Sequence, residues 1–211
     1  MRRFAAVLVG WVLVLFALAP PAQAAPLTTC SAELYAGDAR LGPAVLPKLG
    51  QVGIQLYGYS RTGHRPVGQF LDEFYDDTTG SWIYPPADGY LLDPAGLPIR
   101  WEQTLPPGLR IDRYGSEFGA FLAPKGLPYT TRSIPPSNLV GTPASGCNYR
   151  VYEVLRPFAV HAGPIAAWFY QSGGGLQYQL VGALVPGAPE RLSVKWLIDN
   201  RYLAPVVSPS T

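Results

Sequence analysis

Several kinds of chemistry-bearing side chain are scarce in this sequence. There are only two cysteines and two histidines in 211 residues. Neither His64 nor His161 stands at metal-ligand spacing from Cys, Asp or Glu, which argues against a zinc site. Neither Cys30 nor Cys147 lies in a thiol-enzyme motif, so a thiol nucleophile is set aside. Phosphate loop, serine-hydrolase elbow and dinucleotide-fold fingerprint are all missing, and the run Gly173–Gly175 is not followed by Lys-Ser/Thr. These absences argue against the common nucleotide-binding folds but leave room for a nucleotide site in a sheet crevice. Internal repeats and low-complexity linkers are lacking too, which argues for one domain.

The chain is also short of net charge and of long apolar runs. Its one extended apolar run is at the start, where Arg2 and Arg3 precede Phe4–Leu18 and Ala22-Gln23-Ala24 forms a small-x-small site. That pattern reads as a secretory signal peptide over residues 1–24, because the run is too short for a spanning helix of about 20 residues. The expected mature domain is 25–211, exported, with no membrane attachment after signal cleavage. Of the 16 Lys and Arg, two leave with the leader, matching the 14 Asp and Glu. A neutral protein has no electrostatic reason to seek nucleic acid, so its arginines are to be judged locally, against a small anionic ligand.

With 23 Gly and 23 Pro, long helices are disfavoured and a turn-rich, strand-rich fold is expected. In the oxidising environment outside the cell, Cys30 and Cys147 are expected to pair, with two free buried thiols as the alternative. Val67, Phe70, Leu71 and Phe74 have helical spacing behind Pro66, whereas Val52–Tyr57 is only a short apolar run. Pro-Pro and Asp-Gly pairs mark Trp82–Ile99 as loops and hairpins. Strand-like runs dominate from Arg110 onward: Tyr149–Leu155 alternates, and Leu176–Leu184 is rich in β-formers. Ser193–Asn200 reads as a short helix capped by Ser193, with Val194, Leu197 and Ile198 inward. The expected class is therefore α+β: a single compact domain with a strongly bent antiparallel β-sheet core and a few short helices.

The chemistry concentrates in two stretches, DRYGSEFGAFLAPKGLPYTTRSIPP (Asp112–Pro136) and GPIAAWFYQSGGGLQYQL (Gly163–Leu180). Arg113 and Arg132 each have two readings. A guanidinium can grip a diphosphate in a bidentate fork, or it can stack on rings and pair with a carboxylate. Gln177 stands two residues beyond three glycines, where the backbone can approach a ligand closely; the alternative is a flexible hairpin with a solvent-facing amide. Tyr114, Phe118 and Phe121 offer rings for a base or a pyridinium, though each could equally be core.

These stretches resemble the NAD glycohydrolase domain of the tuberculosis necrotizing toxin family, and more closely its stand-alone secreted members, the fungal surface NADases. The resemblance extends upstream through Ala32–Gly53, Arg65–Asp93 and Gln103–Gly115, and downstream through Tyr149–Phe169 and Ser193–Leu203. It implies that Arg113 matches the arginine of the family's DRFGSE-type motif and Arg132 that of its RALPP-type motif, here RSIPP. Gln177 takes the place of the glutamine in GGGTQY, with Leu176 where threonine is usual. The implied catalytic residues are thus Gln177, Arg132 and Arg113, and the implied substrate-binding residues are Tyr114, Phe118, Phe121 and Arg150. Arg150 falls where some toxins carry histidine. Glu117 is expected to cap or to pair with an arginine.

The resemblance implies hydrolysis of the nicotinamide–ribose bond of NAD or NADP, without metal or organic cofactor. The fungal calcium site is not expected, because NRYLAPVV (Asn200–Val207) lacks its acidic residues. An immunity protein is implied if the producer is bacterial, and a homodimer is left open. Two other readings stand beside this one: a binding module of the same fold without turnover, and ADP-ribosyl transfer to protein, which the absence of an ExE glutamate pair disfavours.

Overall fold

The computed structural model describes residues 27–206, so the leader assigned to residues 1–24 lies outside the described residues. Seven strands form one open antiparallel sheet: β3 (Trp101–Leu105), β4 (Arg110–Tyr114), β5 (Phe121–Pro124), β6 (Tyr149–Val154), β7 (Phe158–Pro164), β8 (Leu176–Gln179) and β9 (Leu203–Pro205). Their spatial order is β3-β7-β8-β5-β4-β6-β9. A small hairpin, β1 (Tyr75–Asp76) and β2 (Ser81–Trp82), stands apart. Among the described residues, three short α-helices complete the α+β fold: α1 (Gly50–Gln55), α2 (Val67–Phe74) and α3 (Val194–Asp199).

The short strand β5 decides the shape of the sheet. Its first two residues, Phe121 and Leu122, pair with Gln179 and Tyr178 of β8. Its last two, Ala123 and Pro124, pair with Asp112 and Ile111 of β4. The ladder changes partner within four residues, and two half-sheets meet there, as at a corner strand. Beyond Asp112 and Ala123 the register of β4 and β5 ends, so Arg113 and Tyr114 face Phe121 across an opening rather than across a ladder.

Three apolar clusters hold this frame. The largest fills one side with Ile111, Tyr152, Val160 and Tyr178, and receives Val194 and Leu197 of α3. Ser193 caps α3 by accepting a hydrogen bond from the Trp196 N–H at 3.3 Å, as the sequence predicts. A second cluster surrounds Tyr114, Tyr129 and Leu139 and includes the disulfide Cys30–Cys147, whose Cα atoms are 5.3 Å apart. In the third, Phe70 and Phe74 lie one turn apart on α2, over Leu41 and Phe169. Each such side chain contributes about 1.5–3 kcal/mol by leaving water.

Local pattern and structure part in two places. The apolar run at Val52–Tyr57 starts in α1, which buries the polar Gln55, and ends in the turn beyond the C-cap Leu56. The β-rich run Leu176–Leu184 stops as a strand at Gln179. There the Leu180 N–H turns to Ala120 O, and the Val185 N–H donates to Gly182 O at 3.1 Å, closing a turn at Gly182–Leu184 instead.

Candidate active site

The opening between β4 and β5 widens into a cavity of about 460 Å³. Arg113, Arg132, Gln177, Tyr114 and Phe121 all line it, together with Asp112. Five of the sequence-derived site residues thus converge on one space.

Arg113 reaches it from the end of β4. Its Nε donates to Ser116 O and its Nη1 to Phe121 O, both at 2.7 Å. The guanidinium occupies the room that a side chain at Gly119 would need: a Cβ there would stand 1.9 Å from Nη2. Glycine at 119 is therefore part of the arginine's seat. Three of the five guanidinium N–H groups keep no protein acceptor among the described residues, and no carboxylate there lies within ion-pair distance. Burial pulls its pKa below the ordinary arginine value, and Arg150, directly opposite in the β4–β6 ladder, pulls the same way. A desolvated cation without a counter-ion is a receptor for an anion.

Arg132 is held quite differently. It is 6% exposed, and Asp112, its partner, is fully buried. Nη1 donates to Asp112 Oδ1 at 2.6 Å and Nη2 to Oδ2 at 3.0 Å, a two-armed fork. Gln55 Oε1 and the Leu127 carbonyl take further bonds from Nη2, and Leu127 O also accepts from Nε. One Nη1 hydrogen is left for the cavity. Asp112 is itself saturated, accepting also from the Gly126 N–H and the Tyr149 hydroxyl, each at 2.7 Å. Beside that carboxylate, and above all through burial, the Tyr149 hydroxyl is pushed well above the usual tyrosine value.

Gln177 enters from β8, 7% exposed. Its Nε2 donates to the Asp88 carbonyl at 3.0 Å. Oε1 accepts no hydrogen bond from the described residues and remains available. The glycines before it serve close approach: a Cβ on Gly175 would stand 2.6 Å from Thr131 O, which accepts the Gly175 N–H at 3.0 Å. The Gly173 N–H donates to Thr130 O, and Ser133 Oγ donates to Ala166 O. The Gln177 loop is thereby stitched to the segment carrying Arg132.

Two sequence-derived residues stand elsewhere. Phe118 is 79% exposed and does not line the cavity. Nor does Arg150, whose Nε donates to Gly115 O and whose Nη1 lies 3.6 Å from Glu117. Glu117 therefore has the arginine partner expected of it.

The family model of the tuberculosis necrotizing toxin matches residues 104–206. A conidial surface nicotinamide adenine dinucleotide glycohydrolase of Aspergillus fumigatus is 45% identical over 188 residues, spanning 87% of this chain and 75% of the relative. The chain belongs to the tuberculosis necrotizing toxin family. Among solved structures, the tuberculosis necrotizing toxin complexed with its immunity factor aligns at a TM-score of 0.48 with 16% identity, over 82% of this chain and 79% of that one. Tne2 in complex with Tni2 aligns at 0.30 with 18% identity, over 53% and 92%.

Within this member of the necrotizing toxin family, sequence reasoning passed over Tyr84, Asp88, Ser133 and Asn138, which also line the cavity. Tyr84 and Asp88 arrive on the Pro-Pro and Asp-Gly turn, whose signal marks a loop and not what the loop delivers. The half-exposed Tyr84 ring packs edge-on against Phe169, with centroids 5.9 Å apart.

Proposed function

We propose that this chain is an exported NAD(P)+ glycohydrolase, active as the domain 25–211, which cleaves the nicotinamide–ribose bond to give nicotinamide and ADP-ribose. The observation that carries the reading is the unpaired Arg113 guanidinium in the same cavity as the free Gln177 Oε1. One suits a diphosphate, the other a carboxamide or ribose hydroxyl. The likeness to a surface NAD glycohydrolase supports both the chemistry and the location outside the cell.

Nicotinamide leaves as a neutral base, taking the C1′–N1 electron pair that neutralises its ring. Little acid catalysis is needed; the barrier lies in the oxocarbenium-like ribose. Arg113 holds the diphosphate, and Gln177, fixed by the Asp88 carbonyl, holds the nicotinamide riboside by Oε1. Arg132 serves from the rear wall, where its pairing with Asp112 keeps it in place with one N–H toward the substrate. Tyr114 and Phe121 supply apolar walls. Water then adds to C1′ and releases its proton to solvent. The fixed groups act because they need no reorganisation as charge develops.

The test is hydrolysis of 1,N6-etheno-NAD by the purified, disulfide-intact protein beside a Gln177→Ala variant. Fluorescence should rise with the parent and slow at least about a hundredfold in the variant. A folded parent that leaves the dinucleotide intact would turn the reading toward a binding module.

A further inference from the structure

The cavity holds a second carboxylate besides Asp112, and its situation is the opposite. Asp88 lines the same space, yet no hydrogen bond reaches its side chain from the described residues. Its nearest cation is Arg100, whose Nη1 stays 3.9 Å from Oδ2, and the carboxylate is 52% exposed. Asp112 is spent on Arg132, Tyr149 and Gly126, whereas Asp88 has its acceptor capacity free.

The backbone around Asp88 is unusual. Ala87 and Asp88 both adopt left-handed conformations, with φ of 53° and 56°. Left-handed non-glycine residues are uncommon, and where the surroundings enforce them the strain collects at functional sites. The enforcement is visible. Gly89 O accepts the Ala166 N–H at 2.9 Å, and the Leu91 N–H donates to Pro164 O at 2.8 Å, bolting the turn onto the end of β7 and the start of its connection to β8. The result brings Asp88 to Gln177, whose amide its own carbonyl fixes at 3.0 Å.

We infer that the Asp88 carboxylate is a catalytic residue that accepts hydrogen bonds from the vicinal hydroxyls of the nicotinamide ribose. This rests on the glycohydrolase reading and on Gln177 marking the nicotinamide end of the site. Carboxylates are natural acceptors for a ribose diol, because two oxygens face two hydroxyls. As the C1′–N1 bond breaks, its electrons go to the ring nitrogen and positive charge spreads over C1′ and the ring oxygen. A carboxylate drawing on the 2′-hydroxyl opposes that charge more in the transition state than in the ground state, so it raises kcat. No proton need be lost from the hydroxyl, and water completes the reaction at C1′.

The test compares Asp88→Asn with the parent on NAD and on an NAD analogue lacking the 2′-hydroxyl of the nicotinamide ribose. Asparagine tolerates the left-handed conformation and keeps the carbonyl that holds Gln177, so the fold persists. Asp88→Gly, equally at ease there, provides a second variant, and thermal unfolding checks both. On NAD, kcat is expected to fall about a hundredfold in each variant, with KM changed less than about threefold. On the deoxy analogue the difference between variant and parent should shrink to about threefold or less. Parent-like kcat on NAD in both variants overturns the proposal, and so does an equal loss on both substrates, which would mean that Asp88 acts only through the position of Gln177. A parent protein inert toward NAD would instead bring down the glycohydrolase reading, and this inference with it.

Discussion

The bond between Arg132 and Asp112 separates two jobs that an arginine can do in a substrate cavity. Replacing Arg132 with Met leaves a fully buried carboxylate with only the Gly126 N–H and Tyr149 hydroxyl to satisfy it. Breaking a buried pair by removing one partner costs about 3–5 kcal/mol, because the other charge remains desolvated. Asp112→Asn acts from the other side, stranding a guanidinium that keeps Leu127 O and Gln55, and belongs at the lower end of that range. With a urea m-value of about 2 kcal/mol/M, these losses move the unfolding midpoint down by about 1.5–2.5 M. The double variant strands no charge, so its loss should fall short of the sum of the singles by about 2 kcal/mol or more. Arg113→Met supplies the contrast: its guanidinium makes two bonds to carbonyls and no ion pair among the described residues, so its midpoint should move by less than about 1 M while turnover collapses. Equilibrium urea unfolding followed by tryptophan fluorescence reads all four. An Arg132→Met protein with the parental midpoint and no turnover would refute the reasoning, since the guanidinium would then matter to the substrate alone.

Reduction of Cys30–Cys147, which closes a loop across 117 positions, should lower stability by on the order of 4–5 kcal/mol; calorimetry of the Cys30→Ser/Cys147→Ser protein measures it. Burial raises the hydroxyl pKa of Tyr59, Tyr114, Tyr129 and Tyr152, and pushes Tyr90 up to about 12. An unfolded tyrosine ionises near 10, so the stability these groups confer is complete below that pH and is lost as pH rises through the folded values. Each tyrosine removes up to about 1.4 kcal/mol per pH unit above 10, and melting at pH 9, 10 and 11 should show a steepening fall. The buried Tyr59 hydroxyl finds no partner among the described residues, so Tyr59→Phe should be neutral or stabilise by about 1 kcal/mol in a urea titration. Tyr84→Ala should raise KM for NAD by about tenfold with little change in melting temperature, because its ring is half-exposed at the cavity; an unchanged KM would exclude it from the substrate surface.

What the sequence made legible follows from the range of each interaction. Helix α2 was readable because Val67, Phe70, Leu71 and Phe74 repeat within one element, and α3 because Ser193 caps its own neighbour. That Arg113 and Gln177 belong beside one cavity was legible only through the family resemblance of their motifs, since the residues alone left a structural reading open for each. The commitment of Arg132 was not readable: Asp112 lies 20 positions away and Gln55 77, and only the finished sheet makes them meet. Asp88 and Tyr84 were hidden in the same way, since a turn signal announces a change of direction but not a destination. Phe118 shows the converse. It shares a motif with Arg113, yet Arg113 turns inward at the end of β4 while Phe118 sits on the connection to β5 and points its ring to solvent.

The stitching between Gly173–Gly175 and Thr130–Thr131 has a consequence for how such a site ages. Backbone bonds at both ends and the Ser133 hydroxyl join two chain segments some forty residues apart, so Arg132 and Gln177 share one bonded support. The same frame takes in the other two groups: Asp112, next to Arg113 on β4, grips Arg132, and the Asp88 carbonyl grips Gln177. A substitution that shifts any one of these supports is therefore felt by all four groups, so the cavity keeps its gauge only where every link is inherited together.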